Sequence, residues 1–241
     1  MARKIDADFE QLKQFLDGYQ LVDIGKSPEQ LSIVKAAHKA YLPFLQFWAI
    51  CSDKAVKKSF GIFNRPIRSA DLELAYLRES VSDVGTGFFC CLHGAYKPGQ
   101  MALRSSIENF LRFAAGPFDS RALKTTSVYE LFKIARRTEP FTGKKMPHIH
   151  QLHTSYVELC KYSHSASLGH MVGIHALKHF PSFEEKAFQG WLSHAKPCMS
   201  AMVTVTSLGN PSIYLDAHYS AKELLDQLIP QTERLHLLGG R

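Results

Sequence analysis

Residues 70–95 read ADLELAYLRESVSDVGTGFFCCLHGA, and this stretch decides the fold class. Its apolar side chains recur at steps of three or four residues, at Leu74, Leu77, Val81, Val84, Phe88, Cys91 and Ala95. Such spacing places them on one face of an α-helix that packs against neighbouring helices. Ser69 can cap the start of this helix, and Lys97-Pro98-Gly99 is predicted to end it. Gly85 and Gly87 are expected to permit close helix packing or a bend.

Helix-start patterns recur along the rest of the chain. In a Ser-x-x-Glu/Gln box the Ser side chain accepts a backbone N–H while its partner reaches back to the Ser N–H. The four boxes are Ser27 to Gln30, Ser127 to Glu130, Ser182 to Glu185 and Ser220 to Glu223. Further helices are predicted over residues 6–22, 100–115, 127–137, 148–164, 183–208 and 220–229.

The helix after Ser27 carries its own apolar stripe, at Leu31, Val34, His38, Tyr41, Leu45 and Trp48. Pro43 is expected to bend it. Alternating strand patterns are scarce, and the β-branched run Val203 to Thr206 is expected to finish a helix. The sequence therefore predicts an all-α, single-domain bundle of about seven to eight helices.

Composition limits the class of protein. The 241 residues contain 29 Lys and Arg against 22 Asp and Glu, a net charge of +7, which suits a partner rich in phosphate or carboxylate. A 45% hydrophobic content with 21% charged residues excludes a disordered chain. No apolar run reaches the about 18 residues of a transmembrane helix, and no export signal is visible. Five Cys without a C-x-x-C pattern indicate a reducing compartment, so a cytoplasmic protein without a membrane partner is expected.

No linker, shift in composition or repeat divides the chain, so residues 1–241 are predicted to form one domain. Residues 230–241 are either a flexible tail or a segment that docks through Leu235, Leu237 and Leu238. The Cys side chains lie mostly on apolar faces or beside aromatic residues, and they are expected to be buried and unreactive.

Two predicted helices carry polar residues that could meet. Arg104 and Glu108 lie four residues apart, hence on one helix face. The helix over 148–164 ends in the polar cluster Cys160-Lys161-Tyr162-Ser163-His164, where its apolar stripe runs out. Together they would concentrate protonatable groups. The alternative is an ordinary intrahelical ion pair, worth about 0.3–0.5 kcal/mol if exposed, with His164 only capping its helix.

The Arg-x-x-x-Glu helix, followed some fifty residues later by Tyr156…Cys160-Lys161-Tyr162-Ser163-His164-Ser165, resembles the bacterial helical proteins of the HEPN group (higher eukaryotes and prokaryotes nucleotide-binding domain). The resemblance covers about residues 70–180. It implies an α-helical bundle, often dimeric, of the kind found in toxin–antitoxin, antiphage defence or RNA-processing systems. In some members it also implies a metal-independent ribonuclease.

This chain departs from that group at one point. Ribonucleases of the group carry an Arg, then four to six residues, then a His that moves the ribose 2′-OH proton while the Arg stabilises phosphate charge. No Arg in this chain has a His at that spacing, since Arg137 to His148 is too long and Arg234 to His236 too short. Catalysis would require Arg104 and His164 to meet across helices, with Glu108 orienting one of them and Tyr162 nearby.

Histidines are frequent between residues 148 and 194. His150 with His153, and His175 with His179, have helical spacing that could present two imidazoles to one metal ion. A third ligand is not apparent, and the second pair lacks the Glu of a zinc-hydrolase helix. The alternative is that these histidines bond backbone carbonyls. No phosphate-binding loop, dinucleotide fingerprint or nucleophile elbow is present, so neither a metal nor a cofactor is expected.

Basic residues cluster in two irregular stretches, interleaved with Phe60, Phe63 and Phe141. Cations can neutralise phosphates while exposed aromatic rings stack on unpaired bases, which is typical of a single-stranded nucleic-acid surface. The alternative is a solvated charged face with the Phe rings in the core. The candidate nucleic-acid-binding residues are Lys54, Lys57, Lys58, Arg65, Arg68, Arg136, Arg137, Lys144 and Lys145.

Two functions compete for this sequence. The first is a HEPN-like protein acting on or with RNA, the effector of a bacterial defence or toxin module, with Arg104, Glu108, Tyr162 and His164 as its catalytic residues. The second is a non-catalytic scaffold or regulatory subunit that binds nucleic acid, RNA rather than DNA, or a nucleoprotein partner. In both, a homo-oligomer or a subunit of a complex is expected. A third possibility is a small-ligand pocket lined by Tyr156, Tyr162 and the histidines.

Overall fold

The structure is a computed structural model that describes residues 2–18, 27–57, 61–63, 70–163 and 183–239. Throughout these segments the regular structure is helical and no strand occurs, which confirms the all-α class. The described residues form eleven α-helices: α1 (Ala2–Gly18), α2 (Pro28–Lys57), α3 (Ala70–Leu92), α4 (Tyr96–Ala115), α5 (Arg121–Lys124), α6 (Val128–Ala135), α7 (Met146–Ser163), α8 (Glu185–Gly209), α9 (Ser212–Leu215), α10 (Tyr219–Leu225) and α11 (Gln231–Gly239).

The number of helices in the described residues exceeds the predicted seven to eight, because short helices give little periodic pattern in the sequence. Helices α5 and α9 are four residues long, and α11 spans nine. A single turn presents one or two apolar positions, too few for a repeat to be recognised. Two 3₁₀ turns, Glu139–Phe141 and Gly143–Lys145, connect α6 to α7.

Helices α3 and α4 form an antiparallel hairpin, and their boundary differs from the prediction. Helix α3 ends at Leu92, and the chain turns at Gly94, whose φ of 80° suits glycine. Pro98 and Gly99 therefore lie in the first turn of α4 rather than ending α3. Proline is tolerated there because a first-turn N–H has no partner within the helix.

Small residues allow the two helices of this hairpin to approach closely. The buried side chains of Ser80 and Ser106 each donate to the backbone carbonyl of the other, at 2.9 and 2.8 Å. Further along, a Cβ on Gly87 would lie 3.0 Å from the carbonyl oxygen of Gly99. The buried indole of Trp191 donates to that same oxygen at 3.2 Å. The expectation that Gly87 permits close packing is confirmed.

Helix α8 runs through the centre of the bundle and contacts α2, α3, α4 and α7. Its run Val203 to Thr206 is fully buried and helical, as expected. On α2 the core face is rotated from the predicted stripe, since Tyr41, Leu45 and Trp48 are only partly buried. The buried face comprises Val34, Ala37, Ala40, Phe44, Phe47 and Cys51.

The helix ends show which predicted caps form. Ser27 and Ser127 accept the backbone N–H of the residue three positions on, each at 3.3 Å. At α10 the cap is the ring of His218, which accepts from the N–H of Ser220. The predicted cap Ser182 lies outside the described residues, and α8 begins after Glu184.

The C-terminal segment docks on the bundle through one of its three leucines. Leu237 of α11 is buried, whereas Leu235 and Leu238 are exposed. Arg234 also pairs with Asp226 at 3.0 Å. None of the helices in the described segments combines the length and apolar character that a bilayer-spanning segment needs.

Candidate functional site

Helices α4 and α7 pack side by side and bring four polar side chains together. Glu108 lies 3.4 Å from the Nε of Arg104, one helical turn away on α4. From α7, the hydroxyl of Tyr156 donates to the same carboxylate oxygen of Glu108 at 3.0 Å. Arg104 in turn donates from Nη1 to the Oγ of Ser163 at 3.3 Å. We call Arg104, Glu108, Tyr156 and Ser163 the Arg104 site.

The guanidinium of Arg104 is fixed by its contacts, and within the described residues these contacts do not use all of its donors. Its carbon lies 5.6 Å from the centre of the Tyr156 ring, a cation–π contact. A guanidinium carries five N–H donors. Its bonds with Glu108 and Ser163 use Nε and Nη1, and no acceptor for Nη2 occurs among the described residues. Because the side chain is 29% exposed, these remaining donors can reach an anion from solvent.

The Glu108 carboxylate lies between the guanidinium of Arg104 and the phenol of Tyr156. Burial and the charge of Glu108 both raise the pKa of Tyr156, so the phenol keeps its proton and serves as a donor. Asp83 lies on the neighbouring helix α3. Burial raises the pKa of its carboxyl, and the nearby carboxylates of Glu79 and Glu108 raise it further. Asp83 accepts a hydrogen bond from Asn109 at 2.9 Å, which anchors α4 to α3.

A second arginine on α4 ties the site to helix α6. Arg112 donates to the backbone carbonyl of Glu108 at 3.3 Å and to that of Thr125 at 3.0 Å. Thr125 lies two residues before the capping Ser127 and accepts its backbone N–H at 3.2 Å, so the bond from Arg112 helps to fix where α6 begins. Helix α6 then places the Phe132 ring edge-on to Tyr156, with the ring centres 5.4 Å apart.

The predicted catalytic residues meet only in part. Arg104 and Glu108 form the expected pair, and they also bond another helix, which a simple surface ion pair would not do. Tyr162 lies half-buried in the last turn of α7. His164, next in sequence to Ser163, lies outside the described residues, so its meeting with Arg104 remains a prediction.

Sequence reasoning did not single out Tyr156 as a partner of Glu108, and it named Ser163 only as part of the polar cluster at the end of α7. Tyr156 and Ser163 are seven residues apart on α7, hence on the same face two turns apart. The sequence shows this spacing, but it does not show that α4 is the helix that this face of α7 contacts.

The predicted nucleic-acid-binding residues differ in what they can offer a ligand. Lys54 is largely buried and bonds Asp216 at 3.0 Å and Ser212 at 3.1 Å. Lys145 is also largely buried and pairs with Glu139. Arg136, Arg137 and Lys144 are exposed, and no carboxylate within the described part of the chain pairs with them. The Lys57 side chain, with Lys58, Arg65 and Arg68, lies outside the described residues.

The aromatic residues proposed to stack on bases belong to the core instead. Phe63 is buried and packs on Phe113 and Phe118, with ring centres 5.4 and 5.7 Å apart. Phe141 is fully buried and packs against Phe110. The expectation of stacking on these two rings is therefore wrong, because their apolar surface is already covered within the bundle. Phe60 lies outside the described residues.

The sequence predicts two histidine pairs with the spacing of metal ligands, His150 with His153 and His175 with His179. In the segments that the structure describes, no group of three or more His, Cys, Asp or Glu side chains could hold a metal ion. The pair His175 and His179 lies outside those segments. Burial lowers the pKa of His153, and the positive charges of Arg136 and His150 lower it further.

With this geometry in view, the chain was compared with known proteins. No protein-family model, curated protein or solved structure matches it. The resemblance to the HEPN group therefore stays a prediction.

Proposed function

We propose that this chain is a HEPN-like protein that acts on RNA, with the guanidinium of Arg104 binding a backbone phosphate between α4 and α7. The observation that supports the proposal is the arrangement of Arg104, which contacts Glu108 and Ser163, is 29% exposed, and has no acceptor for its Nη2 donors among the residues that the structure describes. A planar guanidinium with unused N–H groups is well suited to a phosphate. The net charge of +7 favours the same partner.

In the catalytic form of this proposal the site cleaves RNA without a metal ion. His164 accepts the proton of a ribose 2′-OH, and the 2′-oxygen attacks the adjacent phosphorus. The bond from phosphorus to the 5′-oxygen breaks, and that oxygen takes up a proton from solvent water. The products are a 2′,3′-cyclic phosphate and a free 5′-hydroxyl. Arg104 stabilises the charge that develops on the phosphate oxygens, and Glu108 with Tyr156 fixes the guanidinium.

A second form is a non-catalytic scaffold that binds RNA through the same guanidinium. It is favoured by the Glu108 carboxylate, which lies 3.4 Å from Arg104 and offsets part of its charge. It is also favoured by the absence of the Arg-to-His spacing from the sequence. In either form we propose a cytoplasmic protein that works as a homo-oligomer or within a complex, in antiviral defence or a toxin–antitoxin pair.

The test combines a cleavage assay with a binding assay on single-stranded RNA labelled at its 5′ end. The variants are Arg104→Ala, His164→Ala and, as matched control, Arg121→Ala. Arg121 is a largely exposed arginine that pairs with Asp119 two residues away. The control is therefore expected to behave like the natural chain.

The catalytic form predicts cleavage to cyclic-phosphate ends that Arg104→Ala and His164→Ala each abolish. The scaffold form predicts no cleavage, with binding weakened by Arg104→Ala and unchanged by His164→Ala. RNA that binds the Arg104→Ala variant and the natural chain equally would refute both forms.

A further inference from the structure

Part of the apolar stripe that the sequence shows on α2 lines a cavity at the edge of the core. His38, Tyr41 and Leu45 belong to that stripe, and all three line a cavity of about 300 Å³. Helix α1 adds Leu12 to the wall, and helix α3 adds Phe88. The cavity therefore lies among α1, α2 and α3, whereas the Arg104 site lies between α4 and α7.

The wall of this cavity is mainly apolar and aromatic. Leu12 and Leu45 are partly buried, and Phe88 is 6% exposed. Phe89, the next residue of α3, also lines the cavity and is 41% exposed although its side chain is large and apolar. The rings of Tyr41 and Phe88 lie 5.7 Å apart, centre to centre. An apolar wall with few polar groups is typical of a small-molecule site, and sites of this volume hold small ligands.

The hydroxyl of Tyr41 is a donor at this wall. It has no acceptor among the residues that the structure describes. Gly85 of α3 makes room for it, because a Cβ there would overlap the hydroxyl oxygen and lie 3.3 Å from the ring carbon that carries it. Burial raises the pKa of Tyr41, so the phenol keeps its proton. The cavity therefore offers one hydrogen bond to an oxygen acceptor on a ligand.

The charges of the wall favour a neutral ligand. Its one acidic residue is Asp8, and neither Lys nor Arg occurs among the described residues that line it. An anion would therefore meet a carboxylate without a permanently charged cation beside it. An oxygen of that carboxylate lies 2.5 Å from the Nε2 of His38, so it is already hydrogen-bonded and less available to a cation.

We propose that this cavity binds a small neutral molecule with an aromatic body and a carbonyl oxygen, which accepts the hydrogen bond of the Tyr41 hydroxyl. The aromatic body packs against Leu12, Leu45 and Phe89. The inference is independent of the proposed function, because none of these residues belongs to the Arg104 site.

The test compares acetylnaphthalene with ethylnaphthalene, which have a similar shape and differ in one carbonyl oxygen, by equilibrium dialysis against the full chain. Tyr41→Phe removes only the hydroxyl. It is expected to weaken acetylnaphthalene about two- to tenfold, the loss of one hydrogen bond, and to leave ethylnaphthalene unchanged. Tyr129→Phe is the matched control, because Tyr129 is 76% exposed on α6. It should change neither affinity.

A second variant locates the binding site. Leu12→Trp places a larger side chain at the cavity wall and should weaken both compounds. Its circular-dichroism spectrum should match that of the natural chain, since Leu12 is only partly buried. Tyr41→Phe keeps the ring and its packing, so it tests the hydrogen bond even if the Leu12 variant unfolds.

The outcomes decide both the site and the class of ligand. If neither compound binds, or if a folded Leu12→Trp variant binds both as the natural chain does, the site is refuted. If Tyr41→Phe weakens both compounds equally, or neither, the hydrogen bond to a carbonyl is refuted. Naphthoate and naphthylmethylammonium, the anionic and cationic analogues, should bind more weakly than acetylnaphthalene. Tighter binding of either would overturn the assignment to a neutral ligand.

Discussion

Replacing Gly99 by Ala tests the close approach of α3 and α4. A Cβ at this position would lie 2.4 Å from the Sγ of Cys91 and 3.1 Å from the carbonyl oxygen of Gly87. Both Cys91 and Gly99 are buried, and the backbone of Gly87 is held within its helix. Overpacking costs about 1–3 kcal/mol, and contacts of 2.4 and 3.1 Å between buried atoms place this substitution at about 2–3 kcal/mol, of which the gain in helix propensity from Gly to Ala returns about 1 kcal/mol. We expect Gly99→Ala to lower the free energy of unfolding by about 1–2 kcal/mol.

The assay is urea unfolding followed by circular dichroism, with the thermal midpoint as a second readout. For a chain of this size the loss corresponds to a fall in Tm of about 2–8 °C. Gly190→Ala is the matched control, since a Cβ there meets nothing within 4 Å. It should stabilise helix α8 by about 0.5–1 kcal/mol. A Gly99→Ala variant as stable as the natural chain would refute the close-packing argument.

A double-mutant cycle isolates the contact with the Cys91 sulfur. Cys91→Ala removes the atom that the new methyl group would meet at 2.4 Å. The double variant Gly99→Ala/Cys91→Ala should therefore be more stable than the sum of the single effects predicts, by about 1 kcal/mol. If the effects of the two single variants on the free energy of unfolding simply add, the contact with the Cys91 sulfur is not the source of the strain.

Three further predictions concern local features of the fold. Ser127→Ala removes the acceptor for the Glu130 N–H and should cost about 1 kcal/mol in urea unfolding, whereas Ser127→Asp should restore most of it. Burial raises the pKa of Glu73 to about 7, above the value of about 4.3 in an unfolded chain. Between pH ~4 and ~7 the native state therefore binds more protons than the unfolded state, and its stability falls as the pH rises through this range. Glu73→Gln should therefore stabilise the chain above pH ~7 and have little effect below pH ~4 in urea midpoints; an equal effect at both would contradict this. Burial also raises the pKa of Cys198 to about 12, and native-state alkylation mapped by mass spectrometry should spare Cys51, Cys91 and Cys198 while modifying Cys90 and Cys160.

The parts of the fold predicted from the sequence are those encoded by local spacing. The apolar repeat from Leu77 to Cys91 identified α3, because burial on one helix face requires that repeat. The boundary at Pro98 was placed wrongly, since the same proline is compatible with ending one helix or beginning the next. The turn at Gly94, with its positive φ, decides between them.

The candidate site shows a similar division. The pairing of Arg104 with Glu108 follows from their four-residue spacing on one helix. The bond from Tyr156 to Glu108 depends on how α4 and α7 cross, and spacing within a helix carries no information on that crossing. Whether an aromatic residue near a basic cluster is exposed is also a tertiary property, which explains the buried Phe63 and Phe141.

The salt dependence of RNA binding shows whether Arg104 contacts a phosphate, because it counts the phosphates that the protein neutralises. The dissociation constant of a single-stranded RNA is measured over a range of salt concentrations for the natural chain, Arg104→Ala and Arg121→Ala. If Arg104 contacts a phosphate, its loss should weaken binding about tenfold and lower the slope of log K against log salt by about 0.7, while Arg121→Ala keeps both. An Arg104→Ala variant with the natural affinity and slope would show that Arg104 contacts no phosphate.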